Sequence, residues 1–546
     1  MKKKIWGLLL CVCLVASLAL ASCSNGSSVD TNSDVNSTRV PVSISMWVVT
    51  DKATTPEEEA AMADAFNEVT KTDYSTRVVF NFFTEEEYEA KLDEHLAKCA
   101  SNRNGLPKMP TDPSAYTYRD ERGITTIRWP DVNEYQADIV LITGEEMYRR
   151  YASSGYLTSL DDVLNNTYKD TIMKAVNTLM LENAKYNGSW YALPNNHMVG
   201  EYTYMLVNKE MAEKYYFSES DFKEFGTGTA AARLIDDIAK WETDVAPMEA
   251  MVNGYPLAKY WSLNGESEES VLATLYPDAQ TAYGSGIPSA ENLFANTKYQ
   301  SFMNELFYCK EKGYFRDGQS DFGVAIVSGD HTLYDQYKND YYITTLGTPR
   351  IEESDVFGSM FAVTKYTANL SRCMEILEDL TADSRSELRN ILQYGVEGTH
   401  YELDSNGVVS RLERGRNYRM NINYTGNVFL AYPEEGMDAD VWEQAKQQNR
   451  DALLSIVYGT APYLEDVNAE AWEAMSEASR AYFERLYACR TQAEFKAFLE
   501  AATAEIRASS YYTALTNSFA EGGGYDRTSL SGALGYWDSI TFPDRG

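Results

Sequence analysis

The chain predicts an α/β fold of at least two domains, each a mostly parallel sheet flanked by helices. Two observations lead there. At 546 residues the chain exceeds a single core of about 100–200 residues. One pattern also occurs three times: an apolar run, a threonine followed three residues later by glutamate, then apolar residues at helical spacing.

In chain order, Lys2, Lys3 and Lys4 precede an uncharged run, Ile5 to Leu20, that closes on Leu20-Ala21-Ser22-Cys23. A basic start, an apolar stretch and small residues before a cut are the parts of a secretory signal. A cysteine after the small pair resembles the bacterial lipobox, in which residues 1–22 are removed and Cys23 is lipidated. A plain transmembrane anchor is the alternative. It needs about 20 apolar residues and a positive stop, and the Ser/Asn tract that follows supplies neither. The expected address is the outer face of the bacterial cytoplasmic membrane. Residues 23–39 are small and polar and read as a disordered tether.

The three units follow. Apolar runs at 42–49, 76–83 and 137–142 lead into Thr55 with Glu58, Thr84 with Glu87, and Thr143 with Glu146. Each pair reads as a capping box, the threonine accepting from a helix amide and the glutamate reaching back. Ligands of such sheets bind beyond the carboxyl ends of the strands, so Trp47, Asp51, Thr143 and Glu145 are site candidates by position. Residues 101–133, with four prolines, read as a surface ornament.

Asn195 and Asn196 lie in a turn after Trp190 and Tyr191, where amides beside aromatics suit a site that hydrogen-bonds hydroxyls; a tight turn is the competing reading. Tyr202, in the strand 199–207, and Asp330, in the turn after the strand 323–328, join the candidates. Tyr260 and Trp261, in Gly- and Pro-rich sequence, are candidate aromatic platforms. Helical stripes at 230–241 and 297–312 and the helical tail after 450 read as core. Residues 402–413 fit a calcium-loop spacing except for Glu402 at its first position, but a β-hairpin turning at Asn406-Gly407 is the better reading.

A net charge of −33 disfavours nucleic acid and anionic headgroups as partners. Cys99, Cys309, Cys373 and Cys489 fall in helical patterns and read as buried thiols rather than a disulfide framework. No phosphate loop, nucleophile elbow or zinc-protease motif occurs, and no cofactor or metal is implied.

DIVLI (138–142), YASSGYLTSLDDVL (151–164), NGSWYALP (187–194) and YMLVNKEMAEKY (204–215) resemble, in that order, landmarks of the family 1 extracellular solute-binding proteins of ABC transporters. FAVTKYTANLSRCMEILEDL (361–380) is similar to that family's returning strand and helix. NILQYGVEGTHYELDSNG (390–407) and TGNVFLAYPEEG (425–436) resemble its LipO-type, large-oligosaccharide branch. The resemblance implies a two-lobed periplasmic-binding-protein-like fold (type II) with a three-segment hinge. It implies lobes of 40–207 plus 328–354 and of 208–327 plus 355–546, with the first crossover near Leu206–Lys209. It also implies a monomeric receptor that passes a carbohydrate, expected to be an oligosaccharide, to permease subunits. An extracellular glycoside hydrolase, or a sensory or adhesion lipoprotein without transport, are the other readings. Acidic residues are too abundant for inspection to exclude a catalytic pair.

Overall fold

A computed structural model describes residues 29–30, 39–119, 121–123, 125–249, 270–274, 290–315, 321–382, 386–437, 440–454 and 468–521. Cys23, Tyr260 and Trp261 lie outside these. The strands that build its two main sheets are β1 (Val42–Val49), β2 (Thr76–Phe83), β3 (Ile139–Ile142), β4 (Ala192–Pro194), β5 (Tyr202–Asn208), β6 (Ala246–Met248), β7 (Phe322–Gly329), β8 (Tyr341–Gly347) and β9 (Met360–Val363). The first sheet has the order β2-β1-β3-β9-β4 and the second β6-β7-β5-β8.

Both sheets are mixed rather than mostly parallel. In the first, β1 runs parallel to β2 and β3, while β9 is antiparallel to β3 and β4. In the second, only β6 and β7 are parallel. The reason is topological. β5 and β9 each enter their sheet from the other lobe, so neither arrives through a same-sheet helical crossover of the kind that makes strands parallel.

Three helices follow the expected thresholds: α1 (Pro56–Tyr74), α2 (Glu85–Ser101) and α3 (Glu145–Ser153). Their capping boxes do not form. Thr84 donates its hydroxyl to Glu87 instead of accepting an amide. Glu58 is drawn away to His400 and Arg414, and Thr143 stands one residue before the true N-cap, Gly144. Met62, Phe66, Tyr88, Leu92, Leu96 and Cys99 bury the expected stripes against the first sheet. The four described cysteines are free and buried.

The lobe boundaries differ from the expected ones. Residues 341–347 pair with β5 in the second sheet, and β9 lies within the first. Leu388, Leu392, Tyr418 and Met420 belong to the first core, whereas Met475, Phe483, Phe495 and Ile506 of the helical tail complete the second. The first crossover therefore falls at Val199–Glu201 and not at 206–209, because β5 is hydrogen-bonded along its whole length inside the second sheet. The chain passes between the lobes again between β8 and β9, and a third time after Leu454.

Two further helices matter below: α4 (Glu387–Tyr394) and α5 (Val441–Asp451). The end of α5 grips the first crossover. Gln448 Nε2 donates to Val199 O (3.0 Å) and Gly200 O (2.7 Å), and its Oε1 accepts from His331 N (2.9 Å) of the second lobe. Asn449 Oδ1 accepts from Val199 N (3.0 Å), and its Nδ2 donates to His197 O (2.7 Å). Gly200 has φ +55°, and a Cβ there would stand 2.6 Å from both N and O of Arg350 in the second crossover.

Gly200→Ala is expected to cost about 3 kcal/mol in denaturant unfolding, combining left-handed strain with a backbone clash. Gly188→Ala, at φ +82° with open space around it, should cost about 1 kcal/mol. Equal costs would show that the crossovers are not packed as described.

Candidate functional site

β3 and β4 both end toward the first crossover, and β7 ends at Gly329, paired with Tyr202 just beyond it. The carboxyl-terminal edges of both sheets thus converge on the hinge. On the first lobe that edge is crossed by an irregular strap, residues 417–424. Asn417 O accepts from Thr55 N (3.0 Å), Arg419 O accepts from Asp51 N (3.2 Å) and the Thr54 hydroxyl (3.1 Å), and Tyr424 donates to Glu85 (3.1 Å). Asn423 O then accepts from Asn195 Nδ2 (3.0 Å) and the Ser359 hydroxyl (2.5 Å). The strap therefore runs from the end of β1 to the junction of β4 and β9.

The candidates divide against this frame. Asp51 is exposed beneath Arg419, its Oδ1 accepting from Ala53 N, and Glu145 is half-buried at the start of α3, paired with Arg149 at 2.5 Å. These two lie on the edge as expected. Trp47 does not. It is 6% exposed, its ring lying 5.3 Å from Phe83 and 4.7 Å from His95, because strand alternation turns it into the layer between the sheet and α2.

Asn195 and Asn196 reach the edge but serve it from inside. Asn195 donates to Ser359 and Asn423; Asn196 accepts from Asn177 N (2.8 Å), donates to Ala175 O, and its own carbonyl accepts from Val428 N. Tyr202 is buried at the hinge, donating to Asp451 (3.0 Å). Asp330 caps a local turn through Thr332 N (2.9 Å) and its hydroxyl. All four are better described as supports of the edge and hinge than as ligand contacts.

The sequence reading missed the strap itself. Its Arg419 and Asn421 are exposed, and neither side chain has an ion-pair partner among the described residues. Asn421 Oδ1 accepts from Asn423 N (3.0 Å), starting a 3₁₀ turn at Ile422–Tyr424. Tyr424, half-buried, has its hydroxyl pushed up to about 12 by burial and by Glu85. The polarity of residues 414–424 alternates as in a strand, yet they form isolated turns. The nearby 402–413 segment is the expected hairpin, with Asp404 Oδ1 accepting from Asn406 N and Val408 N (2.7 and 2.9 Å). Among the described residues no group of three side chains could hold a metal ion, and no helix is long and apolar enough to cross a membrane.

His197 sits between this edge and the hinge. Its Nδ1 faces Asn195 O (3.0 Å) and its Nε2 faces Asp355 Oδ1 (3.3 Å). Both neighbours are acceptors, so the ring satisfies both as an imidazolium. Burial opposes that charge, but the Asp355 and Asn195 hydrogen bonds outweigh it and raise the pKa. His400 differs: Val396 N donates to its Nδ1 (2.7 Å), which leaves Nε2–H to donate to Glu58 (2.9 Å). Arg414, bidentate on Glu58 at 2.9 and 2.6 Å, holds that carboxylate low and ties the run-up to the strap onto α1.

No protein-family model matches the chain, and no curated protein sequence matches it. Solved structures do match its fold. The N-glycan transport solute binding protein NgtS of Streptococcus pneumoniae aligns over 89% of this chain and 99% of its own, with a TM-score of 0.51 and 17% identity. An HMO binding, ABC-transporter associated solute binding protein of Bifidobacterium longum infantis aligns over 88% and 98%, with a TM-score of 0.43 and 12% identity. An extracellular solute-binding protein family 1 structure from Alicyclobacillus acidocaldarius aligns over 86% and 99%, with a TM-score of 0.43 and 10% identity. The chain has two α/β lobes and shares its fold with the NgtS structure.

The His197 pair gives a pH signature. Its folded pKa is raised, so its stabilisation is fully present below the unfolded value of about 6.5 and is lost as pH rises through the folded value. The melting-temperature advantage of wild type over His197→Gln should be largest near about pH 5.5 and shrink toward about pH 8.5. A constant advantage across that range would mean that the ring is neutral.

Proposed function

We propose that the protein is a solute-capturing receptor that binds a carbohydrate, an oligosaccharide, between its lobes and hands it to the permease of an ABC transporter. The observation that carries this reading is the strap. A stretch bearing Arg419, Asn421 and Tyr424 lies across the carboxyl edge of one lobe, at a hinge where the second lobe turns the same edge inward. Amides and a guanidinium suit hydroxyl-rich ligands, and a half-buried tyrosine offers an apolar ring face. The fold shared with an N-glycan transport solute binding protein agrees with that chemistry.

In this reading Asp51, Glu145, Arg419, Asn421 and Tyr424 face the ligand from the first lobe, and Tyr260 and Trp261 come from the second. Three crossovers restrict the motion to bending, so capture is a closure of the lobes. Lipidated Cys23 holds the receptor at the outer face of the membrane, as a monomer beside its permease. Capture proceeds without turnover and without a cofactor.

Two measurements test it. Titration calorimetry with a high-mannose N-glycan, maltoheptaose and a galacto-oligosaccharide should find a ligand that chromatography then recovers intact. Steady release of shorter sugars would make the protein a glycoside hydrolase. Asn421→Ala and Tyr424→Phe should separate the contacts: the first should lose about tenfold in affinity, equivalent to about 1.4 kcal/mol, with an unchanged melting temperature. Unchanged affinity in Asn421→Ala and Arg419→Ala together would remove the strap from the site. For the anchor, Cys23→Ala should shift the protein from cell envelope to medium, and continued retention would rule out lipidation as its attachment.

A further inference from the structure

Arg389, on α4, is fully buried and forms no ion pair among the described residues; Glu434, whose charge favours its own, is paired with Arg411 instead. Its Nη2 donates to Ile422 O (3.3 Å), while Nε and Nη1 complete no hydrogen bond among the described residues, although the Tyr394 hydroxyl lies near enough to favour the charge. Burial lowers its pKa to about 10, so the guanidinium is still charged at neutral pH. An interior cation without an ion-paired carboxylate is a poor device for stability, since an apolar side chain of similar volume commonly serves the fold as well or better.

Its surroundings indicate what it does. Two neighbours on the same helix, Asn390 and Gln393, are also buried, and both direct their amides at main-chain carbonyls of the same irregular segment. Asn390 Nδ2 donates to Leu430 O (2.9 Å) and Gln393 Nε2 donates to Met420 O (3.1 Å). The Thr425 hydroxyl lies 2.8 Å from Gln393 Oε1 and 3.0 Å from Ile422 O, with its single hydrogen shared between these two acceptors. The segment from Met420 to Leu430 is paired into no sheet, so these side chains take the place of a ladder in fixing its backbone. Arg389 contacts the one carbonyl, Ile422 O, that lies between Asn421 and the Asn423–Tyr424 turn.

We propose that Arg389 is a positioning residue for ligand recognition: it holds the Ile422 carbonyl from beneath, and so sets how Asn421 and Tyr424 are presented on the strap. This rests on the receptor reading for its consequence in binding, but not for its consequence in the strap itself. The two donors left without a completed hydrogen bond are the cost of placing a long, planar donor under a turn that no sheet supports.

The test compares Arg389→Met and Arg389→Lys with wild type in the full chain, by thermal unfolding, hydrogen exchange and calorimetry with the same three glycans. The expected result is a melting temperature equal to or above that of wild type in Arg389→Met. Residues 420–425 should exchange at least tenfold faster while the β1–β3 amides are unchanged, and affinity should fall at least tenfold. Arg389→Lys, which keeps a charged donor, should lie between. Failure of Arg389→Met to fold, a lowered melting temperature, or unchanged exchange over 420–425 would make the arginine an ordinary part of the core and overturn the proposal. If wild type binds none of the glycans, the carbohydrate reading falls, while the exchange comparison still decides whether Arg389 sets the strap.

Discussion

Irregular backbone placed in the interior must find partners for every amide and carbonyl, and that constraint shapes this molecule at its two most important points. At the hinge, Gln448 and Asn449 together make five hydrogen bonds to the main chain of residues 197–200 and His331. Only a primary amide, donor and acceptor on one group, can do this in so small a space. Because the two residues are consecutive at the end of one helix, the crossover is fixed to a rigid element. Gly200 then allows the second crossover to lie against the first with no side chain between them. Bending at such a junction moves whole sheets, and the sheets carry their edges with them.

The strap uses the same solution on a larger scale. Its carbonyls are taken by Asn195 and Ser359 at the ends of β4 and β9 and by Arg389 and Gln393 from α4, and its approach is fixed through Arg414 on Glu58. A surface held this way is specified side chain by side chain, so its shape can differ between proteins while the sheet beneath remains unchanged. That separation of scaffold from recognition surface is consistent with broad structural likeness at very low sequence identity.

Much of the scaffold was legible in the sequence. The strand–threonine–helix units announced β1 to β3 and α1 to α3, and their stripes fell on the core as read. Threonine–glutamate spacing located the helix starts but not the cap bonds, because Glu58 had a stronger partner more than three hundred residues away. Trp47 and the two asparagines were placed near the right edge and misjudged in orientation, since alternation gives two faces and only a neighbour such as α2 decides between them. The lobe boundaries failed for a related reason: β8 and β9 are both short apolar strands, and nothing local says which sheet will accept them. The strap was illegible because its order is supplied by polar residues on a distant helix, which sequence patterning reads as surface.

The 101–133 insertion extends this separation to the opposite pole. It leaves the end of α2 and returns to the start of β3, so it must lie at the amino-terminal edge of the first sheet. Trp129, buried beneath Lys71 near the end of α1, agrees with that position. The segment leading into β1 enters at the same edge, and Val29–Asp30 adds a two-residue antiparallel strand to Thr125–Arg128 of the insertion. That stretch departs from the wholly disordered tether expected of residues 23–39. The amino-terminal stretch therefore joins the molecule at the pole opposite the strap. Additions at that pole leave the carboxyl edge of the sheet and the strap across it untouched.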